Sequence, residues 1–325
     1  MRSMIVGTGS YSPEKILTNA DLEKMVATSD AWIIERTGIR ERRIASPEEA
    51  TSDLAVAASR RALEMAELEP EEIELIVMGT ITPDMPWPST AVLLQNRLGN
   101  KRAFAFDVSA ACAGSLYALS IADRYVATGV VRNALVVGAE TLTRIVDWKD
   151  RNTCILFGDG AGALVLRPTE DGRGIRSMHL HTDGSQWGIL NQPAGGSRMP
   201  LTAEILAAGG QYLKMNGREV YKVAVRALEE CSREALEANH LAPGDVDRVI
   251  AHQANKRILD ATLSRLGIPA SKCWMNLDKY GNTSAASVPT TLDEANRAGW
   301  LKPGDHILLM AIGAGMAWGA GVIRW

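Results

Sequence analysis

The amino-acid sequence predicts an α/β protein in which buried strands alternate with amphipathic helices. Short apolar runs bounded by turns are typical of buried strands, and three clear ones are Glu74–Gly79, Ala134–Gly138 and His306–Ala311. Apolar residues at helical spacing lie between such runs, in Thr51–Glu67 and Glu219–Asn239. The alternation of the two patterns along the chain indicates a layered α/β architecture.

Further elements are predicted in the first part of the chain. The segment Met1–Gly9 is interpreted as a first strand and turn, because its apolar run is too short for the core of a signal peptide. A strand beginning at Phe104 leads through a turn of small residues into a helix that begins at or just beyond Cys112. The glycine-rich apolar run Gly160–Arg167 is another predicted strand.

The later part of the chain repeats these features. The long segment Gly184–Gly210, rich in Gly, Pro and Gln, is expected to be a loop or insertion. A predicted strand then places His252 at its carboxyl end, where sites of α/β proteins gather. A turn of small polar residues in Asp278–Pro289 opens a helix, and Trp318–Arg324 is the last predicted strand.

An internal duplication is indicated by segments that match in the same order. These pairs are Leu75–Gly79 with Arg248–His252, and Cys112–Leu116 with Ser284–Val288. Their offsets, taken at Gly79 with His252 and at Cys112 with Ser284, are 173 and 172 residues. Each half also closes with a glycine-rich apolar strand that ends in arginine. We therefore expect two equivalent halves, residues 1–170 and 171–325.

Composition excludes several classes of protein. The chain has 325 residues, 46% hydrophobic and 22% charged, which is enough to bury a large core and unlike a disordered protein. Its cysteines are scattered without a C-x-x-C pair, which argues against a disulfide framework or a zinc knuckle: Cys112, Cys154, Cys231 and Cys273. Reduced thiols in a cytoplasmic protein are therefore expected.

Charge and hydropathy limit the kinds of partner that are expected. A net charge of −3 argues against general nucleic-acid binding, and no run approaches the roughly 18 apolar residues of a membrane span. The balance differs between the halves, with 18 basic and 23 acidic residues in 1–170 but 17 and 15 in 171–325. An acidic partner is therefore expected to meet the second half.

Cys112 is the candidate nucleophile. A thiol at the start of a helix lies near the positive end of the helix dipole, which is expected to lower its pKa and raise the thiolate fraction. The small residues around it leave room for an acyl group. The other three cysteines are interpreted as small buried hydrophobic residues.

His252 and Asn282 are the other candidate catalytic residues. Taken alone, His252 could be a structural histidine, and Asn282 could be a turn or helix-cap residue. The duplication makes the Asn282 loop equivalent to the Cys112 loop, so both loops and His252 could face one central cavity.

Other motifs are interpreted as structural. The glycine-rich segments Gly7–Gly9 and Gly158–Gly162 do not precede helices, as a nucleotide-binding loop would. His179 and His181 share one face of a strand, but no third ligand is evident nearby, so no metal site is expected.

Five separated motifs, spread from near the N-terminus to the last third of the chain, closely resemble those of the β-ketoacyl-acyl-carrier-protein synthase III family. They are Ser29–Ile39, Asp107–Gly114, Phe157–Gly162, His252–Asn255 and Gly281–Ser287. The resemblance extends from Gly7 to Trp325. It implies the thiolase fold, a duplicated pair of α/β halves in five layers, αβαβα.

The resemblance also implies a mechanism without a cofactor, since the coenzyme A (CoA) thioester is a substrate. Cys112 would take the acyl group from an acyl-CoA primer, and malonyl-acyl-carrier protein would lose carbon dioxide and attack the acyl-cysteine. His252 and Asn282 would stabilise the malonyl enolate. The backbone N–H groups of Cys112 and of Ala314 or Gly315 would bind the oxygen of the acyl-cysteine.

Binding residues follow from the same resemblance. Those expected to contact CoA are Trp32, Arg36, Arg151, Gly217, Tyr221 and Asn255. Those expected to meet the acidic carrier protein are Gln253, Ala254, Asn255, Lys256, Arg257 and Lys222. The alternative for these basic residues is a solvated surface.

Trp87 departs from the family pattern. The family is expected to form homodimers in which this position, usually phenylalanine, reaches into the acyl pocket of the neighbouring subunit. A bulkier tryptophan favours a short primer such as acetyl-CoA. Primary fatty acid synthesis is the first interpretation; a type III polyketide or secondary-metabolite condensing enzyme, or a non-catalytic acyl-binding homologue, stays open.

Overall fold

The computed structural model describes residues 1–325 and contains thirteen strands and eleven α-helices. The strands are β1 Arg2–Tyr11, β2 Lys15–Thr18, β3 Glu41–Ile44, β4 Leu75–Gly79, β5 Phe104–Val108, β6 Ala134–Glu140, β7 Gly160–Thr169, β8 Gly174–Thr182, β9 Leu190–Asn191, β10 Lys214–Met215, β11 Arg248–Ala251, β12 His306–Gly313 and β13 Ala317–Arg324. The helices are α1 Asn19–Glu23, α2 Asp30–Thr37, α3 Thr51–Ala66, α4 Thr90–Arg97, α5 Gly114–Ala127, α6 Arg151–Cys154, α7 Ala203–Ala207, α8 Gly217–Ala238, α9 Lys256–Leu266, α10 Leu277–Tyr280 and α11 Ser287–Arg297. None of the helices combines the length and hydrophobicity that a membrane-spanning helix needs.

Two sheets with the same strand arrangement form the centre of the fold. The first has the order β1-β7-β6-β4-β5 and the second the order β8-β13-β12-β11. In each sheet the first three strands are antiparallel and the next pairing is parallel. An isolated parallel bridge between Val249 and Cys273 occupies the place in the second sheet that β5 takes in the first.

Helices cover both faces of each sheet. Helices α3 and α4 pack on the outer face of the first sheet, α5 and α11 lie between the two sheets, and α8 and α9 cover the outer face of the second. Three separate apolar clusters fill these three interfaces, because alternate residues of each strand face opposite layers. The predicted α/β class and the five-layered thiolase-like fold are confirmed.

The N-terminal prediction was wrong in one respect. The first strand continues through Gly7 and Gly9 to Tyr11 without a turn. A Cβ atom at Gly7 would lie 2.2 Å from the carbonyl oxygen of Ala62, and one at Gly9 would lie 2.3 Å from that of Ala58. These glycines therefore allow helix α3 to pack directly against the strand.

The predicted loop Gly184–Gly210 contains short regular elements. It begins with a 3₁₀ turn over Gly184–Ile189, continues through β9, and includes helix α7. The segment lies beside the central cavity, where Trp187 and Leu190 line an apolar pocket.

The two central loops have matching backbone conformations. Ala111 and Ser284, which are 173 residues apart, both adopt a left-handed conformation, with φ of 45° and 49°. Each residue begins a 3₁₀ turn that leads directly into one of the two central helices. Residues other than glycine rarely adopt this backbone conformation, so its recurrence in both loops indicates a constraint of the site.

Candidate active site

The candidate nucleophile lies in the first of these turns. Cys112 is in the 3₁₀ turn Ala111–Ala113, immediately before α5, as predicted. The end of β12 passes so closely that a Cβ atom at Gly313 would lie 2.4 Å from the Cys112 nitrogen. Close packing of backbone on backbone therefore holds the nucleophile in place. All four cysteines of the chain are buried and free of disulfides.

The direction of the Cys112 pKa differs from the sequence-based expectation. Burial raises the pKa of this thiol to about 12, and a hydrogen bond with Ser284 only partly opposes that effect. The nearby charge, on Glu140, is negative and raises the pKa further. The desolvation of an enclosed thiol therefore outweighs the helix start, and the resting group is a protonated thiol.

His252 lies at the end of β11 and faces the same space. Its backbone N–H donates to the Met310 carbonyl at 2.8 Å, but neither ring nitrogen has a hydrogen-bond partner within the protein. Burial lowers the pKa of the imidazole to about 3. The ring is therefore neutral at physiological pH, with one N–H to donate and one nitrogen to accept.

The backbone of Asn282 is tied to a motif from the first half. Its N–H donates to the Leu156 carbonyl at 2.8 Å, and its carbonyl accepts from the Gly158 N–H at 3.0 Å. The side-chain oxygen accepts from the Ser284 N–H at 2.8 Å. Because the oxygen is engaged, the amide N–H groups are the part of the side chain left to donate into the cavity.

Ser284 and Glu140 belong to the site, but the sequence analysis did not predict a role for either of them. Ser284 also donates its hydroxyl to the buried Glu140 carboxylate at 3.0 Å, and Thr82 donates to the same carboxylate at 2.5 Å. Burial raises the pKa of Glu140 to about 7, while these hydrogen bonds oppose the rise. Glu140 is the last residue of β6, and an acidic residue at the end of an otherwise apolar strand was the signal available in the sequence.

Two cavities meet at Cys112. The larger, of about 1010 Å³, is lined near the surface by Trp32 and Arg36 and in its depth by Cys112, His252 and Asn282. The three predicted catalytic side chains are therefore brought together in one space. A second cavity, of about 350 Å³, is lined mainly by apolar residues and also by Cys112. The thiol can thus receive an acyl group from one side and hold it in an apolar pocket on the other.

The predicted backbone donors lie at this junction. Ala314 and Gly315, in the turn between β12 and β13, line the apolar cavity beside Cys112. The amide N–H groups of these two residues and of Cys112 donate to no backbone carbonyl. They are therefore free to bind an oxygen atom of a thioester.

Aromatic and basic residues form the mouth of the larger cavity. The guanidinium carbons of Arg36 and Arg151 each lie 4.8 Å from the centre of the Trp32 ring. The family resemblance implies that the adenine of CoA lies between Trp32 and Arg151, and this arrangement needs about 7 Å between them, or two van der Waals contacts. Arg151 must therefore move before it can cover an adenine stacked on Trp32.

The remaining predicted CoA contacts line the same cavity. Gly217, Tyr221 and Asn255 all belong to its wall. Arg218 also lines it and was not predicted. The arginines around this mouth form no ion pair with a carboxylate: Arg36, Arg151, Arg218 and Arg257. The mouth is thus an electropositive, aromatic entrance suited to a nucleotide with phosphate groups.

The predicted docking segment is divided by the structure. Lys256 and Arg257 are exposed, and Ala254 and Asn255 are partly so. Gln253 contradicts its prediction, because it is 1% exposed and donates to the Trp274 carbonyl at 2.7 Å. Its side-chain oxygen accepts two further backbone N–H groups, so Gln253 supports the fold and cannot contact a partner.

Lys222 and Trp87 differ in their position relative to the larger cavity. Lys222 lines this cavity, is exposed and pairs with Glu219 at 2.8 Å. Trp87 is 83% exposed and lines neither cavity of its own chain.

The pKa of His252 gives a testable pH dependence. In the unfolded chain His252 binds a proton near pH 6.5 and in the folded protein only near pH 3, so this one residue lowers the free energy of unfolding by up to about 1.4 kcal/mol for each pH unit of acidification between these values. Glu140, whose pKa is raised, has the opposite effect: as the pH falls from about 7 to the ordinary pKa of a glutamate, it increases the free energy of unfolding. We expect the unfolding free energy of His252→Gln, measured in urea, to fall less than that of the parent between pH 6.5 and 4.5. Equal slopes would contradict the neutral buried ring.

Duplicated α/β halves and a Cys–His–Asn cavity define a thiolase-fold condensing enzyme that works on acyl thioesters. The sequence model of the 3-oxoacyl-[acyl-carrier-protein] synthase III family matches residues 106–184. The family model for the C-terminal part of the same synthase matches residues 236–325. A β-ketoacyl-[acyl-carrier-protein] synthase III of Caldanaerobacter subterraneus subsp. tengcongensis is 55% identical, covering 99% of this chain and 97% of the relative. The chain therefore belongs to the β-ketoacyl-acyl-carrier-protein synthase III family.

Solved structures agree with this assignment. The crystal structure of 3-oxoacyl-[acyl-carrier-protein] synthase III from Aquifex aeolicus has a TM-score of 0.93 and 48% identity, covering 99% of this chain and 100% of that one. The priming β-ketosynthase of the R1128 polyketide biosynthetic pathway also has a TM-score of 0.93, at 38% identity, covering 99% of this chain and 96% of that one.

Proposed function

We propose that the protein condenses an acyl-CoA primer with malonyl-acyl-carrier protein, giving 3-oxoacyl-acyl-carrier protein, CoA and carbon dioxide. This is the step that initiates type II fatty acid synthesis. The observation that supports it most directly is the position of Cys112, which lines both an open cavity with His252 and Asn282 and an apolar pocket.

The first half-reaction is acyl transfer to the thiol. Cys112 Sγ forms a bond to the acyl carbon as the bond from that carbon to the CoA sulfur breaks, and the thiol proton leaves with free CoA. The free backbone N–H groups of Cys112 and of Ala314 or Gly315 stabilise the oxyanion during the transfer. The acyl chain then lies in the apolar pocket.

The second half-reaction is decarboxylative condensation. The bond between the malonyl methylene and its carboxylate breaks, carbon dioxide leaves, and the electron pair forms an enolate at the thioester. His252 and Asn282 donate hydrogen bonds to the enolate oxygen. The methylene carbon then attacks the acyl-cysteine, and Cys112 leaves as a thiolate that takes up a proton. No cofactor is needed, because the thioester is already activated and decarboxylation supplies the electron pair.

The proposal is tested by supplying both substrates to the purified protein. Acetyl-CoA and malonyl-acyl-carrier protein should give acetoacetyl-acyl-carrier protein by mass spectrometry, with one CoA released for each product. Efficient condensation with malonyl-CoA and none with the carrier-bound substrate would overturn the assignment.

A related function is favoured by one comparison. The solved priming β-ketosynthase acts in a polyketide pathway. The same chemistry on this chain would start a secondary metabolite if the malonyl group were accepted only from a polyketide carrier protein. Turnover with the malonyl-loaded carrier proteins of fatty acid and polyketide synthesis from the source organism separates the two.

Carrier-protein docking is proposed at the mouth of the larger cavity. Arg257 is exposed, lies 5.9 Å from the Tyr221 ring centre and has no carboxylate partner, whereas Lys256 is paired with Asp260. We expect Arg257→Glu to raise the KM for malonyl-acyl-carrier protein about tenfold or more, equivalent to about 1.4 kcal/mol. Lys302→Glu, an equal charge change at an exposed residue outside this mouth, is the control. An equal effect of both variants would contradict local docking.

A homodimer is proposed from surfaces left open in one chain. Strand β5 is at the edge of the first sheet, Phe104 on it is 43% exposed, and the nearby loop exposes Met85 and Trp87. Unpaired strand edges and exposed aromatic residues of this kind are typical of subunit interfaces. In the proposed dimer, Trp87 covers the acyl pocket of the partner subunit.

The size of Trp87 predicts primer selectivity. We expect turnover with acetyl-CoA to exceed turnover with butyryl- and isobutyryl-CoA, and Trp87→Ala to reduce that preference by removing bulk from the pocket. Equal or faster turnover of the branched primer by the parent would contradict the role of Trp87. Light scattering should show the same oligomeric state for the parent and for Trp87→Ala. If the variant becomes monomeric, the change in primer preference reports the loss of the interface and not the size of the pocket.

We further propose that the two functional halves divide at residues 1–170 and 171–325, and that the enzyme works in the cytoplasm. Matching sheets on either side of the β7–β8 connection support the division. Four unpaired cysteines support a reducing compartment.

A further inference from the structure

A second cluster of reactive side chains lies between β8 and α8, apart from the two cavities. His179 and His181 face the helix from one side of the strand, and both contact Glu234. Their ring nitrogens lie 3.0 and 2.6 Å from the two carboxylate oxygens. Cys231, one helical turn before Glu234, is 2% exposed and donates its S–H to the His179 carbonyl at 3.4 Å.

Three donor atoms in this cluster converge on one point. The His181 nitrogen, the Cys231 sulfur and a Glu234 oxygen all lie within 4.8 Å of one another. Bond lengths in a tetrahedral zinc site place such donors about 3.3–3.7 Å apart. The observed distance of 2.6 Å between the His181 nitrogen and the Glu234 oxygen is shorter than this range, and the limit of 4.8 Å for the three donor atoms is longer. Small side-chain rotations therefore suffice to create the spacing of a zinc site.

The surrounding residues hold the cluster in place. The His181 ring stacks on Trp318, with ring centres 5.8 Å apart. Tyr117 donates its hydroxyl to the His181 carbonyl at 2.8 Å. The second ring nitrogen of His179 contacts Ser177 at 3.0 Å. Fixed outer contacts of this kind orient metal ligands in known sites.

We propose that His181, Cys231 and Glu234 bind a divalent transition-metal ion, with Zn²⁺ as the best match to their nitrogen, sulfur and oxygen donors. On binding, a metal–sulfur bond forms and the Cys231 S–H proton passes to solvent. The hydrogen bond between His181 and Glu234 is replaced by bonds to the ion, and the proton that His181 donated in that bond is lost to solvent while Nδ1 takes one up, so that the neutral ring binds the ion. His179 keeps the second oxygen of Glu234, and the fourth position is open to water.

The location gives the ion a consequence for the acyl pocket. β8 ends at Thr182, and the next residue, Asp183, exchanges two backbone hydrogen bonds with Met316, at 2.9 and 3.0 Å. The following 3₁₀ turn carries Trp187, which lines the apolar cavity. An ion that ties β8 to α8 therefore stabilises the segment that leads into this pocket.

The test is cobalt binding to the full-length protein after removal of metal with a chelator. All variants are made in a Cys112→Ala background, so that the active-site thiol cannot bind the probe. We expect a thiolate-to-cobalt absorption band that saturates at one Co²⁺ per chain and disappears when Zn²⁺ is added. Cys231→Ser should abolish the band, and Glu234→Gln should weaken Co²⁺ binding at least tenfold. Cys273→Ser, another buried thiol in the same half, should leave it unchanged.

Thermal unfolding supplies a second measurement that does not depend on absorption. Zn²⁺ should raise the Tm of the Cys112→Ala protein more than that of Glu234→Gln at the same Zn²⁺ concentration, and the metal-free Tm of Glu234→Gln shows whether the variant is folded. The absence of a band, or a band that survives Cys231→Ser, would overturn the proposal. The cluster would then be a hydrogen-bonded link between β8 and α8 only.

Discussion

Cys112→Ala should lose acyl transfer from acetyl-CoA and should still decarboxylate malonyl-acyl-carrier protein. Alanine cannot form the thioester, so the condensation rate should fall by a factor on the order of 10⁴ to 10⁶. The enolate donors, His252 and Asn282, are not altered. Their positions depend on β11 and on contacts with Leu156, Gly158 and the backbone N–H of Ser284, whereas the thiol interacts with the Ser284 side chain.

The two half-reactions can be measured separately. Radiolabelled acetyl-CoA should label the parent at one acetyl group per chain and should not label Cys112→Ala, whereas release of labelled carbon dioxide from malonyl-acyl-carrier protein should persist. Cys154→Ala is the matched control, because Cys154 is also a buried free cysteine and lines neither cavity. Acetyl labelling of Cys112→Ala would exclude Cys112 as the acyl acceptor.

The burial of Cys112 gives this prediction a further consequence. The pKa of the thiol is raised to about 12, so the rate at which Cys112 of the parent is acylated should not level off as the pH rises past the ordinary pKa of a cysteine. The thiol must lose its proton as the acyl bond forms. A reagent that needs free thiolate, such as iodoacetamide, should therefore react slowly with Cys112 in the absence of substrate.

The sequence predicted those parts of the site that depend on local chain order. A small-residue turn between a strand and a helix predicted the position of Cys112, and the duplication placed the Asn282 loop opposite it. Both predictions depend on spacing and residue size, which are local properties. The left-handed backbone at Ala111 and Ser284 shows that the two loops also share a conformation that no local pattern revealed.

Contacts between distant segments could not be predicted in this way. Gln253 lies in a polar motif beside exposed basic residues, yet its side chain is used inside the fold by Trp274 and by the backbone that follows it. Likewise, the fold brings Glu234, more than fifty residues away in the sequence, into contact with both His179 and His181. Burial and partners decide such cases, and both are properties of the assembled layers.

Replacement of His252 should separate the half-reactions in the opposite way. His252→Ala should still accept the acetyl group on Cys112 but should lose decarboxylation and condensation by about 10²- to 10³-fold, the usual cost of removing one oxyanion donor. The acyl-transfer step uses the backbone N–H groups beside Cys112, which do not depend on the imidazole. Asn282→Ala should have the same effect, and the double variant should lose less than the product of the two.

The electrostatics of His252 explain why a neutral donor suits this step. With a pKa of about 3, the imidazole is almost never protonated at pH 7, so it stabilises the enolate without quenching it as a strong acid would. The decarboxylation rate should therefore show no inflection near pH 6.5. His252→Gln should recover part of the lost rate, because a carboxamide N–H restores a neutral donor.

Acetyl labelling distinguishes this role from a purely structural one. A variant whose fold had failed would lose labelling together with decarboxylation, whereas loss of an enolate donor leaves labelling at one acetyl group per chain. His306→Gln, at the start of β12 and lining neither cavity, is the matched control. If His252→Ala decarboxylated malonyl-acyl-carrier protein at the parent rate, the enolate would have to be stabilised by Asn282 and the backbone alone, and the free ring nitrogens of His252 would have no part in the reaction.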